Sequence, residues 1–188
     1  MRVLGIDPGT ATVGISILDY VDKKFNLIYY GCIYTSKDSD MPQRLYEIHE
    51  SLKKIIETYK PEVLAIEELF YFKNNKTVIS VSQARGVMLL CAKENNMGIF
   101  EYTPLQVKMG ITGYGRAEKQ QVQIMVQKLL NLSEIPKPDD AADAIAVAIT
   151  HINSSTSLLG NIRNKKLDTK NVTKTKLTAK EYRELFSK

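Results

Sequence analysis

An apolar strand that ends on an acid constrains this chain more than any other feature. Val3, Leu4 and Ile6 favour an extended, buried segment, and Asp7 stands where Pro8-Gly9 turns the chain away. A carboxylate carried to the end of a buried strand needs a counter-charge, because desolvating a lone charge is costly. No Lys or Arg follows Asp7 before Lys23, so a metal ion or a cationic ligand is the economical partner. An Asp that merely caps its own Pro-Gly turn accounts for this stretch equally well.

With 188 residues, 44 % hydrophobic and 25 % charged, the chain suffices for one proper core rather than two full domains. Met1-Arg2 runs straight into the strand, so no secretory leader is expected, and no apolar run approaches the roughly 18 residues of a membrane span. Cys32 and Cys91 lie far apart in apolar surroundings, which suggests reduced structural thiols of a cytoplasmic protein and no metal ligand. The net charge of +5 is unevenly placed: residues 1–153 hold 17 Lys or Arg against 18 Asp or Glu, and residues 154–188 hold 9 against 3. Nucleic acid on the globular part must then be gripped by a local patch beside an acidic centre.

Ala11 to Leu18, with Val13, Ile15 and Ile17 on one side, reads as a second strand paired back on the first. A third runs through Phe25, Leu27 and Tyr29 to about Thr35, with Gly31 the expected place for a bulge. Asp40 is placed to cap an amphipathic helix with Leu45, Ile48, Leu52, Ile55, Ile56 and Tyr59 on its inner face. After Pro61, Val63-Leu64-Ala65-Ile66 has the continuous apolar character of a strand covered on both faces, and it too ends on acid, Glu67-Glu68. A right-handed crossover makes this strand parallel to the first and brings one of the two glutamates near Asp7. Neighbours on a strand face opposite ways, so only one can share the site, and the spacing leaves open which.

Phe70-Tyr71-Phe72 beside Lys73 and Lys76 either stacks unpaired bases while the lysines hold phosphates, or closes the end of the core. A helix is expected over Thr77 to Asn95, a fifth strand over Ile99 to Tyr102, and a short helix from Pro104 through Lys108. Gly110 to Lys119 then reads as a glycine-bearing loop entering a helix, with Arg116 and Lys119 in its first turn; such an N-terminus suits phosphate, though a plain surface loop fits as well. It lacks the Lys-Ser or Lys-Thr of a Walker loop. From Asp139 to Ile149 a helix is apolar almost all round and must be buried apart from its acidic start. Asp140 and Asp143 share a face, as do Asp139 and Asp143; capping explains the first two acids but not Asp143, since stacked like charges call for a cation.

Gly5-Ile6-Asp7-Pro8-Gly9-Thr10, Ala65-Ile66-Glu67, Gln83-Ala84-Arg85-Gly86, Gln106-Val107-Lys108, Ala117-Glu118-Lys119 and Asp140-Ala141-Ala142-Asp143-Ala144-Ile145-Ala146 together resemble the RuvC family of Holliday-junction resolvases over residues 1–153. The resemblance implies an α/β, ribonuclease H-like fold with a five-stranded mixed sheet flanked by helices, acting as a homodimer on four-way DNA junctions in recombination and repair. It implies catalytic, metal-holding carboxylates at Asp7, Glu67, Asp140 and Asp143, setting aside Glu68 and Asp139, with Lys119 and Lys108 near the scissile phosphate. It places Phe70 at the crossover bases, with RuvA and RuvB as partner proteins; Lys73 and Lys76 beside the aromatics, Arg116 of the glycine loop and Arg85 are further candidate DNA contacts. Residues 154–188 depart from the family pattern; they suggest a cationic linker from Ser154 and a short capped helix over about 178–187.

Four carboxylates and no histidine select Mg²⁺, with Mn²⁺ as substitute, and suffice for two cations about 4 Å apart. The rivals are another ribonuclease H-like nuclease, an actin-like ATPase fragment, since Asp7-Pro8-Gly9-Thr10 also resembles a phosphate turn, and a non-catalytic DNA-binding module. The second lacks another Asp-x-Gly loop, and the third leaves Asp7, Glu67 and Asp143 without a purpose.

Overall fold

The computed structural model describes residues 1–69 and 75–156. Strands β1 (Arg2–Asp7), β2 (Thr12–Val21) and β3 (Lys24–Tyr34) lead into helix α1 (Met41–Tyr59) and strand β4 (Val63–Glu67). Helix α2 (Asn75–Glu94), strand β5 (Gly98–Tyr102) and helices α3 (Pro104–Thr112), α4 (Lys119–Leu129) and α5 (Asp139–Thr156) follow. The sheet runs β3-β2-β1-β4-β5, antiparallel through β3, β2 and β1 and parallel through β1, β4 and β5. This is the five-stranded mixed sheet that the family resemblance implies.

Each face of the sheet carries its own core. Leu4, Ile6, Val13, Ile15, Ile17, Leu64 and Ile66 pack against Ile48, Leu52 and Ile56 of α1 and Ala84, Met88 and Cys91 of α2. Val3, Leu18, Ala65 and Tyr102 pack against α3, α4 and the apolar length of α5. Burial of both faces is why β2 outruns the alternation expected of it, since Ser16 and Leu18 are as fully buried as Ile15 and Ile17. Asp40 caps α1 as its sequence indicates, its side chain accepting from the Gln43 N–H at 2.9 Å.

Four local readings need correction. The irregularity in the β2–β3 pairing falls at Ile28, the residue left over between Tyr29↔Ile17 and Leu27↔Leu18, while Gly31 pairs regularly with Ile15. Helix α3 continues past Lys108 through Gly110, where a side chain would press on Thr150 of α5, and stops at Gly113, whose φ of 73° closes the helix. Helix α4 therefore begins only at Lys119, with Arg116 exposed in the preceding loop rather than in the first helical turn. Ser154 to Thr156 belong to α5, not to a linker; the Ser155 and Thr156 hydroxyls donate back to the Ile152 carbonyl at 3.0 and 2.7 Å. The terminal helix expected over 178–187 lies outside the described residues.

Small residues let α5 lie directly on the sheet. A Cβ at Gly14 would collide with the Asp140 carbonyl, and one at Gly5 with the Ala144 carbonyl, which also accepts a hydrogen bond from the Ser16 hydroxyl at 2.9 Å. The first turns of α5 thus rest on β1 and β2 beside Asp7.

Candidate active site

Register alone decides which acids face one another. Asp7 pairs with Gly14, whose missing side chain is replaced by the backbone of α5, so Asp7 points to the α5 side. Ile6 pairs with Ile66 in parallel, which sets Asp7 level with Glu67. Glu67 pairs with Tyr102, a member of the core beneath α5, so Glu67 shares that face and Glu68 turns from it. Asp140 and Asp143 arrive on the same side from the first turns of α5. Lys119, the first residue of α4, reaches across with its Nζ 2.9 Å from Asp143 Oδ2 and 3.5 Å from Asp139 Oδ2. A cleft of about 170 Å³ opens between Glu67, Lys108, Lys119 and Asp143 over a floor of Val107 and Val122.

The electrostatics are those of a crowded acidic pocket. Burial, then the charges of Glu67, Asp143 and Asp140, push Asp7 up to about 8, with Lys119 opposing. Burial and Asp143 push Glu67 up to about 7 against the pull of Lys119 and Lys108. Burial also raises Asp143, although its hydrogen bond to Lys119 restrains the shift. Burial works against the Lys119 ammonium, yet its hydrogen bond and attraction to Asp143, with Asp139 adding to them, hold it above the ordinary lysine value. Among the described residues, Lys119 and Lys108 do not balance these acids, and the donors are all hard carboxylate oxygens; this donor set and its excess negative charge fit a hard divalent cation. No three of these carboxylates bring oxygens within 4.8 Å of one another among the described residues, as expected of like charges with one of them drawn to Lys119.

The other candidate residues are placed variously. Arg85 donates to the Glu67 carbonyl at 3.4 Å and forms an ion pair with Glu101, so its guanidinium is committed to bracing β4 and β5 behind the site. Lys108 lines the cleft, Lys76 lies in the first turn of α2, and Phe70 and Lys73 lie outside the described residues. Cys32 is not in apolar surroundings: it pairs with Gly14 in the row that contains Asp7, half-buried near Asp140 and Tyr34. Asp139, set aside as a cap, is a second partner for Lys119. Gly14 and Ser16, which seat α5, went unread because nothing in their spacing reveals a helix pressed against them.

The family model of RuvC, described as Crossover junction endodeoxyribonuclease RuvC, matches residues 3–151. The chain belongs to the RuvC family. A RuvC relative from Fusobacterium nucleatum subsp. nucleatum, also named Crossover junction endodeoxyribonuclease RuvC, is 57 % identical and covers 100 % of both chains, the basic tail included. The Thermus thermophilus RuvC structure superposes with a TM-score of 0.78 at 34 % identity over 82 % of this chain and 95 % of that one. T. thermophilus RuvC in complex with Holliday junction substrate gives a TM-score of 0.76 at 32 % identity over 82 % and 94 %. The ribonuclease H-like architecture of RuvC is thus that of this chain, and all four clustered carboxylates and Lys119 fall within the matched range.

Proposed function

We propose that this chain resolves four-way DNA junctions by hydrolysing phosphodiesters at Asp7, Glu67, Asp140 and Asp143. The observation that carries the reading is the convergence of these acids from β1, β4 and α5 on one side of the sheet, with Glu67 and Asp143 lining the cleft, where burial and mutual repulsion raise Asp7 and Glu67 towards neutrality. Such an arrangement destabilises the fold unless a ligand repays it, and a divalent cation beside a phosphodiester is the ligand the chemistry suits. The junction as substrate is supported by the family and by the junction complex of the T. thermophilus relative.

Asp7, Glu67, Asp140 and Asp143 would hold two Mg²⁺ ions, with Mn²⁺ substituting. Bound there, the cations would supply Lewis-acid polarisation of the phosphate and lower the pKa of water. The chain's own residues do the rest. Asp7 and Glu67, fixed at strand ends, orient the site rigidly, and α5 holds Asp140 and Asp143 on one helical face. The Lys119 ammonium, kept protonated by Asp143 and Asp139, offsets charge that develops on the phosphoryl oxygens. Lys108, also lining the cleft, adds a second cation. Val107 and Val122 beneath give the charged groups a poorly solvated floor.

A homodimer would present two such clefts to a two-fold junction and nick strands of like polarity in pairs. By family, RuvA and RuvB are the partners, and recombination and repair the setting. The test is cleavage of a synthetic four-way junction beside a linear duplex of the same sequence. Symmetric paired nicks in the junction alone are expected, and equal cleavage of both substrates would refute junction selectivity.

A further inference from the structure

On the face of the sheet opposite the catalytic cleft, α1 and α2 bring together a second set of donors. One ligand atom each from His49, Cys91 and Glu94 lies within 4.8 Å of the other two, a cluster that the carboxylate site does not match for tightness. Cys91 and Glu94 are three apart on α2 and so share a face, and His49 meets them from α1. Cys91 is fully buried at the base, His49 is a quarter exposed, and Glu94 lies at the rim, so the cluster opens towards solvent at its carboxylate end.

The imidazole is held from both sides. His49 Nδ1 is 3.3 Å from Glu50 Oε1, and Nε2 is 3.2 Å from Glu94 Oε2. A neutral ring carries one proton; given to Glu50 through Nδ1, it leaves the Nε2 lone pair facing a carboxylate. Two acceptors at that separation need a second proton or a cation between them. A carboxylate on Nδ1 is also the arrangement that orients metal-bound histidines. One imidazole, one thiolate and one carboxylate form a borderline donor set that suits Zn²⁺, unlike the all-oxygen catalytic cleft. Zinc bonds of about 2.0–2.3 Å set tetrahedral ligands somewhat under 4 Å apart, so closure asks for shifts on the order of 1 Å.

We propose that His49, Cys91 and Glu94 form a zinc site that clamps α1 to α2, with Glu50 positioning the His49 ring and water completing the coordination. On binding, the Cys91 thiol releases its proton to solvent as the sulfur–zinc bond forms. The site departs from the expectation that Cys91 is an inert core thiol.

Co²⁺ titration of the full-length protein, followed by displacement with Zn²⁺, tests the proposal. A thiolate-to-cobalt charge-transfer band saturating at one equivalent is expected, and the catalytic carboxylates cannot produce one. The band should vanish in Cys91→Ala and His49→Gln but persist in Cys32→Ser and Asp7→Asn. Glu50→Gln should weaken binding roughly 10- to 100-fold without removing the band. Zn²⁺ at about a hundredfold excess over its dissociation constant should raise the unfolding midpoint of wild type and Asp7→Asn by roughly 5 °C or more, and that of His49→Gln by much less. His49→Gln, a half-buried helix-surface change, keeps the test decisive if Cys91→Ala does not fold. No charge-transfer band, or one that survives His49→Gln, would overturn the site.

Discussion

Gly14→Ala places a methyl group against the carbonyl of Asp140, at a separation far below the 3.0 Å that real Cβ atoms respect. The methyl is fixed to its own backbone and the atom it meets is backbone, so no side chain can swing aside, and the first turn of α5 must lift from β2 by on the order of 1 Å. Overpacking of this kind costs about 1–3 kcal/mol, which lowers the unfolding midpoint of a chain this size by roughly 2–12 °C. The catalytic consequence is larger in proportion. Asp140 and Asp143 ride on the displaced turn while Asp7 and Glu67 stay on their strands, and a misplacement near 1 Å costs on the order of 100-fold in rate. Thermal denaturation and single-turnover cleavage of a four-way junction read the two effects, with junction affinity as the control. Gly86→Ala is the matched comparison: it adds the same methyl inside α2 where no atom lies within 4 Å, and it should leave the midpoint unchanged or raise it. Wild-type cleavage together with a wild-type midpoint in Gly14→Ala would refute the claim that α5 is seated through this glycine.

Two further outcomes follow from charge. Asp7 and Glu67 have folded-state values of about 8 and about 7, above their ordinary 3.8 and 4.5, so they favour the folded state below about pH 4 and that contribution is lost as pH rises through 7 to 8. Protein in EDTA should therefore lose stability between about pH 4 and pH 8, Mg²⁺ should restore it most at the alkaline end, and Asp7→Asn should flatten the EDTA profile; a flat wild-type profile would contradict the burial of these acids. Truncation after Thr156 removes the basic tail, whose net charge beyond Ser154 is +6, so the dependence of junction affinity on KCl should flatten by roughly 0.9 for each phosphate that the tail no longer neutralises, while cleavage at low salt persists. Identical salt slopes would show that the tail does not touch DNA.

The parts of this fold that were legible in the sequence are those set by local chemistry. Asp40 declares its helix because a cap needs only its next three residues, and β1 and β4 declare themselves as unbroken apolar runs stopped by acids. The placement of Asp7 against one of Glu67 and Glu68 followed from crossover handedness, but the choice between them did not. It turns on which face α5 covers, and residue spacing is silent on that; only the family resemblance named Glu67 before the register did. Gly14 and Gly110 were unreadable for the same reason, since each is small on account of a helix brought from more than thirty residues away. The Ile28 bulge was missed because glycine is only the commonest place for one, not a requirement. Asp139 was explained too well by its position at a helix start, and its pairing with Lys119 depends on where α4 begins.

Junction binding and single-turnover cleavage by Asp7→Asn, measured side by side with wild type in Mg²⁺, test the central claim most directly. Asp7 is the most strongly raised of the clustered carboxylates and faces Glu67 across paired strands, so losing its charge should remove cation binding while the lysines that meet DNA remain. The account predicts wild-type affinity for the junction with cleavage reduced by at least about a thousandfold. Cleavage above about a tenth of the wild-type rate, with binding intact, would contradict it.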